Sequence, residues 1–187
     1  MRFEITFHAP FRVASGQAGD GSDTTVDPGA LLPASSLKGV MRSAARDLLR
    51  FPPDLVGSVF GTGWAGSPWS WSDARVLDGA GNDPEVRPRA RIRIEQETST
   101  VVSGALLIAD EVLAARGEFT IERTGWISPA EAGAHETVLL AAARAVTAVG
   151  GDRRRGLGWV TLTPADPPWS AAHLEAALRL ARGEGRG

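Results

Sequence analysis

The chain has 187 residues, of which 43% are hydrophobic and 22% charged, and its formal net charge at pH 7 is -2. This length and composition predict one globular domain over residues 1–187 with a core of its own. A net charge so close to zero excludes a protein that coats nucleic acid with its whole surface, so any polyanion site must be a local patch. The absence of cysteine excludes disulfides, thiolate zinc sites and cysteine nucleophiles.

A first strand is predicted at the N-terminus, where Phe3, Ile5 and Phe7 alternate with polar residues up to Pro10. This segment lacks the apolar core of a signal peptide, and no window reaches the apolar length of a membrane span. We therefore expect a soluble cytoplasmic protein. A long polar loop follows at residues 14–33, and loops of that length inside a compact domain are usually functional or disordered. Its aspartates are Asp20, Asp23 and Asp27.

A first helix is predicted over residues 34–50, where apolar residues recur at helical spacing. Its start carries Ser35, Ser36 and Lys38, and the serines are good N-cap residues. A helix N-terminus offers free N–H groups and the positive end of the dipole to an anion. The same pattern is typical of a capped amphipathic helix with a solvated lysine, and the sequence leaves both interpretations open.

The middle of the chain is predicted to consist mostly of strands. A short apolar turn at residues 55–61 and a tryptophan cluster at 64–71, which we interpret as core packing, precede a strand at 71–77. Residues 78–89 are rich in Gly, Asn, Asp and Pro, which predicts an exposed loop. Further strands are predicted at residues 90–95, 105–113 and 118–126.

A second helix is predicted over residues 130–149, ending at Gly150, and a last strand over residues 157–162. A short terminal helix begins at Ser170, and residues 182–187 are expected to fray. Helices placed singly between strands indicate an α+β fold of the ferredoxin-like, split βαβ type, with an antiparallel sheet and loop insertions.

A glycine- and arginine-rich loop lies between the second helix and the last strand. Glycines allow a ligand to approach the backbone closely, successive N–H groups form an anion site, and arginine forks suit phosphate oxygens. The order of helix before strand excludes Walker-type and dinucleotide-binding loops. The sequence also permits an ordinary solvated turn. The loop residues that would contact an anion are Gly150, Gly151, Arg153, Arg154, Arg155 and Gly156.

Four segments in this order resemble the RAMP superfamily of CRISPR-associated proteins, and most closely the backbone subunits of type III effector complexes. The segments are Leu32 to Arg42, with its proline-x-serine-serine-leucine-lysine-glycine pattern, Val59-Phe60-Gly61, Arg91 to Ile94 with Glu111-Val112 downstream, and the glycine loop.

The resemblance implies an RNA-recognition-like fold that holds CRISPR guide RNA along a filament of repeated subunits in antiviral defence. The implied partners are guide RNA, target RNA and copies of this chain or related RAMP subunits. The residues 95–105 occupy the place of the family's thumb-like hairpin and look short. By position in the family, guide phosphates would be contacted by Ser35, Ser36, Lys38 and Arg42 at the helix start, together with the arginines of the glycine loop.

Some members of the family cut target RNA with an aspartate in the loop after the first strand. Asp23 takes that position here, and Asp27 resembles the family's second, non-cleaving aspartate. Thr25 stands where the family usually has proline. An acidic side chain there would align the ribose hydroxyl or a water bound to a divalent metal such as Mg²⁺ for in-line attack.

Two other functions remain open from the sequence. A CRISPR repeat-processing endoribonuclease would need a positioned general base, for which His8 is the candidate. A non-catalytic assembly module would contact only protein. His8, His135 and His173 are far apart in the sequence and none has a partner at metal-ligand spacing.

Overall fold

The fold is built on a five-stranded antiparallel sheet in the computed structural model of the chain. The structure describes residues 1–19, 21–95, 97 and 100–184, with the side chains of residues 93 and 103 left out. Three parts of the predictions lie outside the described residues: Asp20 of the polar loop, Gln96, Thr98 and Ser99 of the thumb-like segment, and residues 185–187 of the frayed tail.

The described residues form seven strands and four α-helices. The strands are β1 (Arg2–Phe7), β2 (Trp69–Trp71), β3 (Arg75–Leu77), β4 (Glu85–Ile94), β5 (Val101–Leu113), β6 (Arg116–Arg123) and β7 (Val160–Asp166). The helices are α1 (Ala34–Ser43), which continues as a π-helical turn over Ala44–Leu48, α2 (Pro53–Phe60), α3 (Pro129–Ala145) and α4 (Ala171–Ala181). None of these helices is long and apolar enough to cross a membrane.

The sheet has the strand order β2–β6–β1–β7, with β3 also paired to β6. β3 pairs with the first half of β6 and β2 with the second half, so the two short strands together act as one interrupted strand. Strand, helix and strand therefore occur twice in succession, which is the split βαβ arrangement. The predicted fold class is confirmed.

The single strand predicted over residues 71–77 is interrupted at residues 72–74. There the backbone turns toward the first helix: Ala74 N–H donates to the carbonyl of Leu32 at 3.0 Å, and the carboxylate of Asp73 accepts from Ala34 N–H at 2.7 Å. The interruption thus ties the edge of the sheet to the start of α1.

The core lies between one face of the sheet and the helices. Phe3, Ile5 and Phe7 are buried as their alternation predicts, and the ring of Phe3 stacks on that of Phe119 with centroids 5.0 Å apart. Their polar neighbours on β1 lie on the other face, which is solvated. Burial of large apolar side chains stabilises the fold by about 1.5–3 kcal/mol for each.

The apolar turn predicted over residues 55–61 is the helix α2. Pro53 begins it, where the missing N–H of proline costs no hydrogen bond. Leu55, Val56, Val59 and Phe60 are buried at i, i+1, i+4 and i+5, a spacing that fits one face of a helix.

An antiparallel hairpin of β4 and β5 is inserted between the interrupted strand and β6. The exposed loop predicted over residues 78–89 is therefore correct only to Pro84, because residues 85–89 belong to β4. Their backbone pairs with β5, with Val86 opposite Val112, while their side chains stay exposed. The hairpin that contains the predicted thumb-like segment, residues 95–105, therefore runs from β4 at Glu85 to β5 at Leu113 and is longer than the sequence indicates. On one face of the hairpin Ile92 and Leu106 pair and are 53% and 57% exposed.

Helix α3 ends at Ala145, four residues before the predicted end. Val146 is extended, and residues 147–149 pair with 158–160: Val149 N–H donates to Gly158 at 2.8 Å and Val160 N–H to Thr147 at 3.0 Å. The glycine loop is thus the tip of a short antiparallel turn. Pairing of residues 147–149 with 158–160 supplies the hydrogen bonds that a longer α3 would have supplied. The apolar periodicity of the sequence therefore could not distinguish a longer helix from this paired segment.

Gly158 is the position in this turn where a side chain is least tolerated. Its φ is +73° and a Cβ there would lie 1.9 Å from the carbonyl oxygen of Val149. We expect Gly158→Ala to destabilise the protein by more than about 3 kcal/mol in chemical denaturation. Gly156→Ala is the matched control: φ is +81° but a Cβ would meet no atom within 4 Å, so the loss should stay near 1 kcal/mol, about the cost of a left-handed alanine. Equal losses would contradict the steric explanation.

His135 on α3 is buried and fully hydrogen-bonded. Its Nδ1 accepts from Trp69 Nε1 at 3.1 Å, and its Nε2 lies 3.0 Å from Ser58 Oγ, which donates to the carbonyl of Leu55. These partners assign the neutral tautomer with hydrogen on Nε2. Burial lowers the pKa of His135 below its ordinary value of 6.5, and the nearby carboxylate of Glu131 opposes this only in part. The residue is structural.

Protonation of His135 should therefore lower stability in mild acid. Because its pKa is lower in the folded state, the unfolded chain binds more protons, and stability falls as pH drops below about 6.5. One proton gives a slope of at most about 1.4 kcal/mol per pH unit. Free energies of unfolding measured between about pH 7.5 and about 5.5 test this. The slope should flatten in His135→Gln and persist in His173→Gln; a slope unchanged in His135→Gln would contradict it.

Candidate nucleic-acid interface

A concave groove lies between the β4–β5 hairpin and the glycine loop. Its volume is about 930 Å³, and both basic and apolar side chains line it. The lining residues are Pro10, Arg89, Ala90, Arg91, Ile92, Ala105, Leu107, Arg155, Gly156 and Leu157. A groove of this composition can hold a phosphate backbone and the flat face of a base at the same time.

The hairpin contributes Arg89 and Arg91, which strand alternation places on the same face of β4. The buried carboxylate of Glu111 on β5 lies 3.3 Å from Arg89 Nη1 and 3.2 Å from Arg91 Nη2. The side chain of Arg89 is still 57% exposed, whereas that of Arg91 is only 19% exposed. Of these two arginines, Arg89 is therefore the one that a ligand can reach more readily.

The opposite wall is the glycine loop, which is built around Arg12. The carbonyl of Arg12 accepts from Gly151 N–H at 2.8 Å, and a Cβ on Gly150 would lie only 2.2 Å from the same oxygen. The buried side chain of Arg12 forms an ion pair with Asp152. Burial, and next the charge of Arg91, lowers the pKa of Arg12, while the carboxylates of Glu111 and Asp110 oppose this shift. Gly150 and Gly151 thus hold the loop in shape by close backbone contact.

Arg153, Arg154 and Arg155 form a 3₁₀ turn at the tip of the loop with exposed side chains. Of the three, Arg155 lines the groove and is 70% exposed, with its Nη1 3.8 Å from Asp152 Oδ1. The structure therefore brings Arg155 and Gly156 together with the hairpin arginines.

The start of α1 is organised differently from the prediction. The N-cap residue is Pro33, and neither serine caps the helix; the carboxylate of Asp73 accepts from the first N–H instead. Lys38 Nζ lies 5.0 Å from the ring centroid of Trp71. Burial, and next the charge of Arg42, lowers the pKa of Lys38. These contacts favour the interpretation of Lys38 as a packed helix residue.

The two predicted groups of RNA-contacting residues contact different elements. The start of α1 lies beside the β2–β3 interruption at one edge of the sheet, whereas the glycine loop leads into β7 at the other edge. The wall that faces the glycine loop is the hairpin. Contacts of Ser35, Ser36, Lys38 and Arg42 with RNA stay a prediction. Arg89 was missed as a site residue because composition indicated a loop up to residue 89, and Arg91 was placed in a strand without a contact role, although arginine alternates through residues 87–93.

The aspartate loop packs against the free edge of β5. Asp23 N–H donates to the carbonyl of Ile108 at 2.7 Å, and Asp23 Oδ2 accepts from Ile108 N–H at 2.8 Å. Thr24 forms a parallel bridge with Ala109. Asp23 remains exposed, so its carboxylate is held in a fixed place on the hairpin and is accessible to a ligand.

The residues around Asp23 do not fit a resident metal ion. Among the residues that the structure describes, no group of three histidines or carboxylates could hold one. Asp23 Oδ2 is engaged by a backbone amide, and Asp110 Oδ1 accepts from Ser22 Oγ at 2.8 Å. Asp27 caps its own turn by accepting from Gly29 N–H. We therefore derive no chemical step through a bound metal.

The solvated face of the sheet exposes charges of both signs. Its strands β1 and β6 expose Glu4, Glu118 and Glu122, and the exposed side chains of Arg2, Arg75 and Arg116 lie on the same face. The phenylalanines of both strands point into the core, so they cannot stack on bases there. At one corner His8 is exposed, with Nε2 2.8 Å from Thr161 Oγ1 and its ring 5.4 Å from that of Trp159.

Comparisons with known proteins agree with this architecture. No curated protein sequence matches the chain significantly. A chain of type III-B Cmr-beta in the apo state superposes with a TM-score of 0.67 at 16% identity, covering 86% of this chain and 95% of that one. A chain of Cmr-beta bound to cognate target RNA superposes with a TM-score of 0.65 at 15% identity and the same coverage. At these identities the likeness concerns the fold. The sequence profile of the RAMP superfamily matches residues 5–161, and the chain belongs to that family.

Proposed function

We propose that the chain is an RNA-binding subunit of a type III CRISPR effector complex in antiviral defence, and that it holds guide RNA in the groove between the hairpin and the glycine loop. The observation that carries this proposal is the convergence of Arg89 and Arg155 from two walls on one groove. The relatives that share its fold are Cmr-beta chains, one of them in a structure with cognate target RNA.

The charges at the groove favour a polyanion although the whole chain is slightly acidic. Among the described residues, the guanidinium groups of Arg12, Arg89, Arg91 and Arg155 form ion pairs with the carboxylates of Glu111 and Asp152, and Asp110 also acts on Arg12, so positive charge is still in excess. The excess of positive charge attracts phosphates and releases counterions on binding. Because arginine and backbone N–H contacts with phosphate oxygens read no base, the affinity should depend little on RNA sequence, as a guide holder requires.

The apolar lining suits unstacked bases. Leu107 and Ile92 come from the hairpin, and Pro10 and Leu157 from the opposite wall. Apolar surfaces contact every base face alike and so preserve tolerance of sequence. The proposed partners are guide RNA, a matched target RNA, and copies of this chain or related RAMP subunits.

Cleavage of the target by Asp23 is the second part of the proposal. The carboxylate would accept the proton of a ribose 2′-hydroxyl, whose oxygen attacks the adjacent phosphorus while the 5′-oxygen leaves with a proton from water. The support is that Asp23 is exposed, held at β5 by two backbone contacts, and therefore oriented.

Removing the exposed arginines of both walls should weaken binding of every RNA sequence. For Arg89→Ala with Arg155→Ala we expect weaker binding of a labelled mixed-sequence RNA in fluorescence anisotropy and a salt slope smaller by about one to two. Arg2→Ala with Arg123→Ala removes the same charge at the far end of the sheet and should change little. Equal effects of the two pairs would contradict the groove as the site.

Asp23→Asn should abolish cleavage of a matched target and leave guide binding intact, since asparagine can still accept from Ile108 N–H. The assay uses the complex purified after expression with a CRISPR array, and Asp27→Asn is the control that should keep activity. Addition of EDTA tests whether a divalent metal such as Mg²⁺, which the family resemblance implies and the proposed step does not require, takes part in cleavage. Cleavage that survives Asp23→Asn but disappears in His8→Ala would favour the repeat-processing type of chemistry.

A purified complex that contains no RNA would favour the non-catalytic assembly module that contacts only protein.

A further inference from the structure

We infer that Asp152 is a positioning residue for RNA binding: its carboxylate locks the hairpin to the glycine loop and thereby holds Arg89 and Arg155 at the distance that the RNA backbone requires. The inference rests on the proposed function and adds a residue that does not itself contact RNA.

The carboxylate of Asp152 joins three segments that are far apart in the sequence. It forms an ion pair with Arg12 of the segment after β1, lies 2.9 Å from Arg91 Nη1 of the hairpin, and lies 3.8 Å from Arg155 Nη1 of its own loop. Asp152 adopts a left-handed conformation with φ of 52°, which turns the chain at this point. One residue thus connects both walls of the groove and the segment beneath them.

Arg91 serves as the bridge from the hairpin. Its Nη2 donates to Glu111 Oε1 at 3.2 Å, and its Nη1 lies 2.9 Å from Asp152 Oδ2, an ion-pair contact that lacks hydrogen-bond geometry and leaves Nη1 buried without a hydrogen-bond partner among the described residues. A guanidinium engaged by carboxylates on both sides and only 19% exposed has little capacity left for a phosphate. Arg89 and Arg155 are the ones that remain open to RNA.

The connection between the glycine loop and the segment after β1 depends on Asp152 through the buried side chain of Arg12. Its side chain is 6% exposed, Nη2 bonds to Asp152, and Nη1 is buried without a hydrogen-bond partner among the described residues. Its backbone carbonyl meanwhile holds Gly151. Without the Asp152 carboxylate the buried guanidinium of Arg12 would lose its hydrogen-bonded ion pair and keep only the more distant attraction of Glu111 and Asp110, so the loop that rests on Arg12 would be held less firmly.

A positioning role and electrostatics alone predict opposite changes in RNA affinity when the Asp152 carboxylate is removed. Neutralising Asp152 makes the groove more positive, so charge alone would strengthen RNA binding and increase its salt dependence. If Asp152 holds the arginines in place, binding instead weakens, because they no longer meet neighbouring phosphates together.

The test compares RNA affinity of Asp152→Asn with that of the unchanged protein over a range of salt concentrations. Asparagine tolerates the left-handed backbone, so the substitution removes mainly the charge. We expect affinity to fall about tenfold, the factor for losing one charge-assisted contact, with a smaller salt slope. Asp83→Asn is the control, because it removes one exposed negative charge from the turn before β4. Binding by Asp152→Asn as tight as or tighter than that of the control overturns the inference.

A second variant covers the case in which Asp152→Asn does not fold, as judged by its melting curve. Arg91→Lys keeps the positive charge but cannot span Glu111 and Asp152 with a planar fork. It should also bind about tenfold more weakly, whereas Arg123→Lys at the far end of the sheet should bind like the unchanged protein. Unchanged affinity in Arg91→Lys overturns the inference.

A distance measurement tests the lock without RNA. The chain has no cysteine, so spin labels can be attached through Leu106→Cys on the hairpin and Arg154→Cys on the loop. The interlabel distance distribution should broaden when Asp152→Asn is added and stay unchanged with Asp83→Asn. An unchanged distribution with Asp152→Asn overturns the inference. If the unchanged protein binds no RNA, the proposed function is wrong, and the label distances still decide whether Asp152 locks the two walls.

Discussion

The ion pairs of Asp152 are the contacts on which the proposed interface depends. They connect the segment after β1, the inserted hairpin and the loop before β7, and they add to the backbone hydrogen bonds that join Phe11 to Val112 and Arg12 to Gly151. The close approach of Gly150 to the carbonyl of Arg12 adds a steric constraint, since no side chain fits there. Charge and backbone packing at one place thus determine the width of the groove, while the ferredoxin-like sheet serves as its support.

The distribution of charge explains how a slightly acidic protein can bind RNA. On the solvated face of the sheet the carboxylates of Glu4, Glu118 and Glu122 are accompanied by the exposed arginines Arg2, Arg75 and Arg116. The exposed guanidinium groups of Arg89 and Arg155 lie on the groove. Since electrostatic attraction between exposed charges fades beyond about 10 Å in 0.1 M salt, a local patch suffices to select where phosphates bind.

The sequence predicts well what depends on local periodicity. Alternation of Phe3, Ile5 and Phe7 identified β1, and the order of elements identified the fold class. Elements that depend on distant pairing were missed. β4 can begin among exposed residues because hydrogen bonds to β5 satisfy its backbone N–H and C=O groups. Residues 147–149 are not helical because they pair with residues 158–160. For the same reason the sequence predicted Arg155 as a contact residue but paired it with the start of α1, since only the fold shows that Arg89 and Arg91 lie opposite.

The proposed interface requires that guide RNA lies in the groove between the hairpin and the glycine loop. It is tested most directly by ultraviolet crosslinking of the chain to guide RNA, followed by mass spectrometry of the crosslinked peptides. If RNA lies in the groove, crosslinks should occur in residues 89–92 and 105–107 of the hairpin and in residues 155–157 of the glycine loop, which line the two walls. Crosslinks concentrated on the solvated face of the sheet, at residues 118–122, with none in the hairpin or the loop, would contradict it.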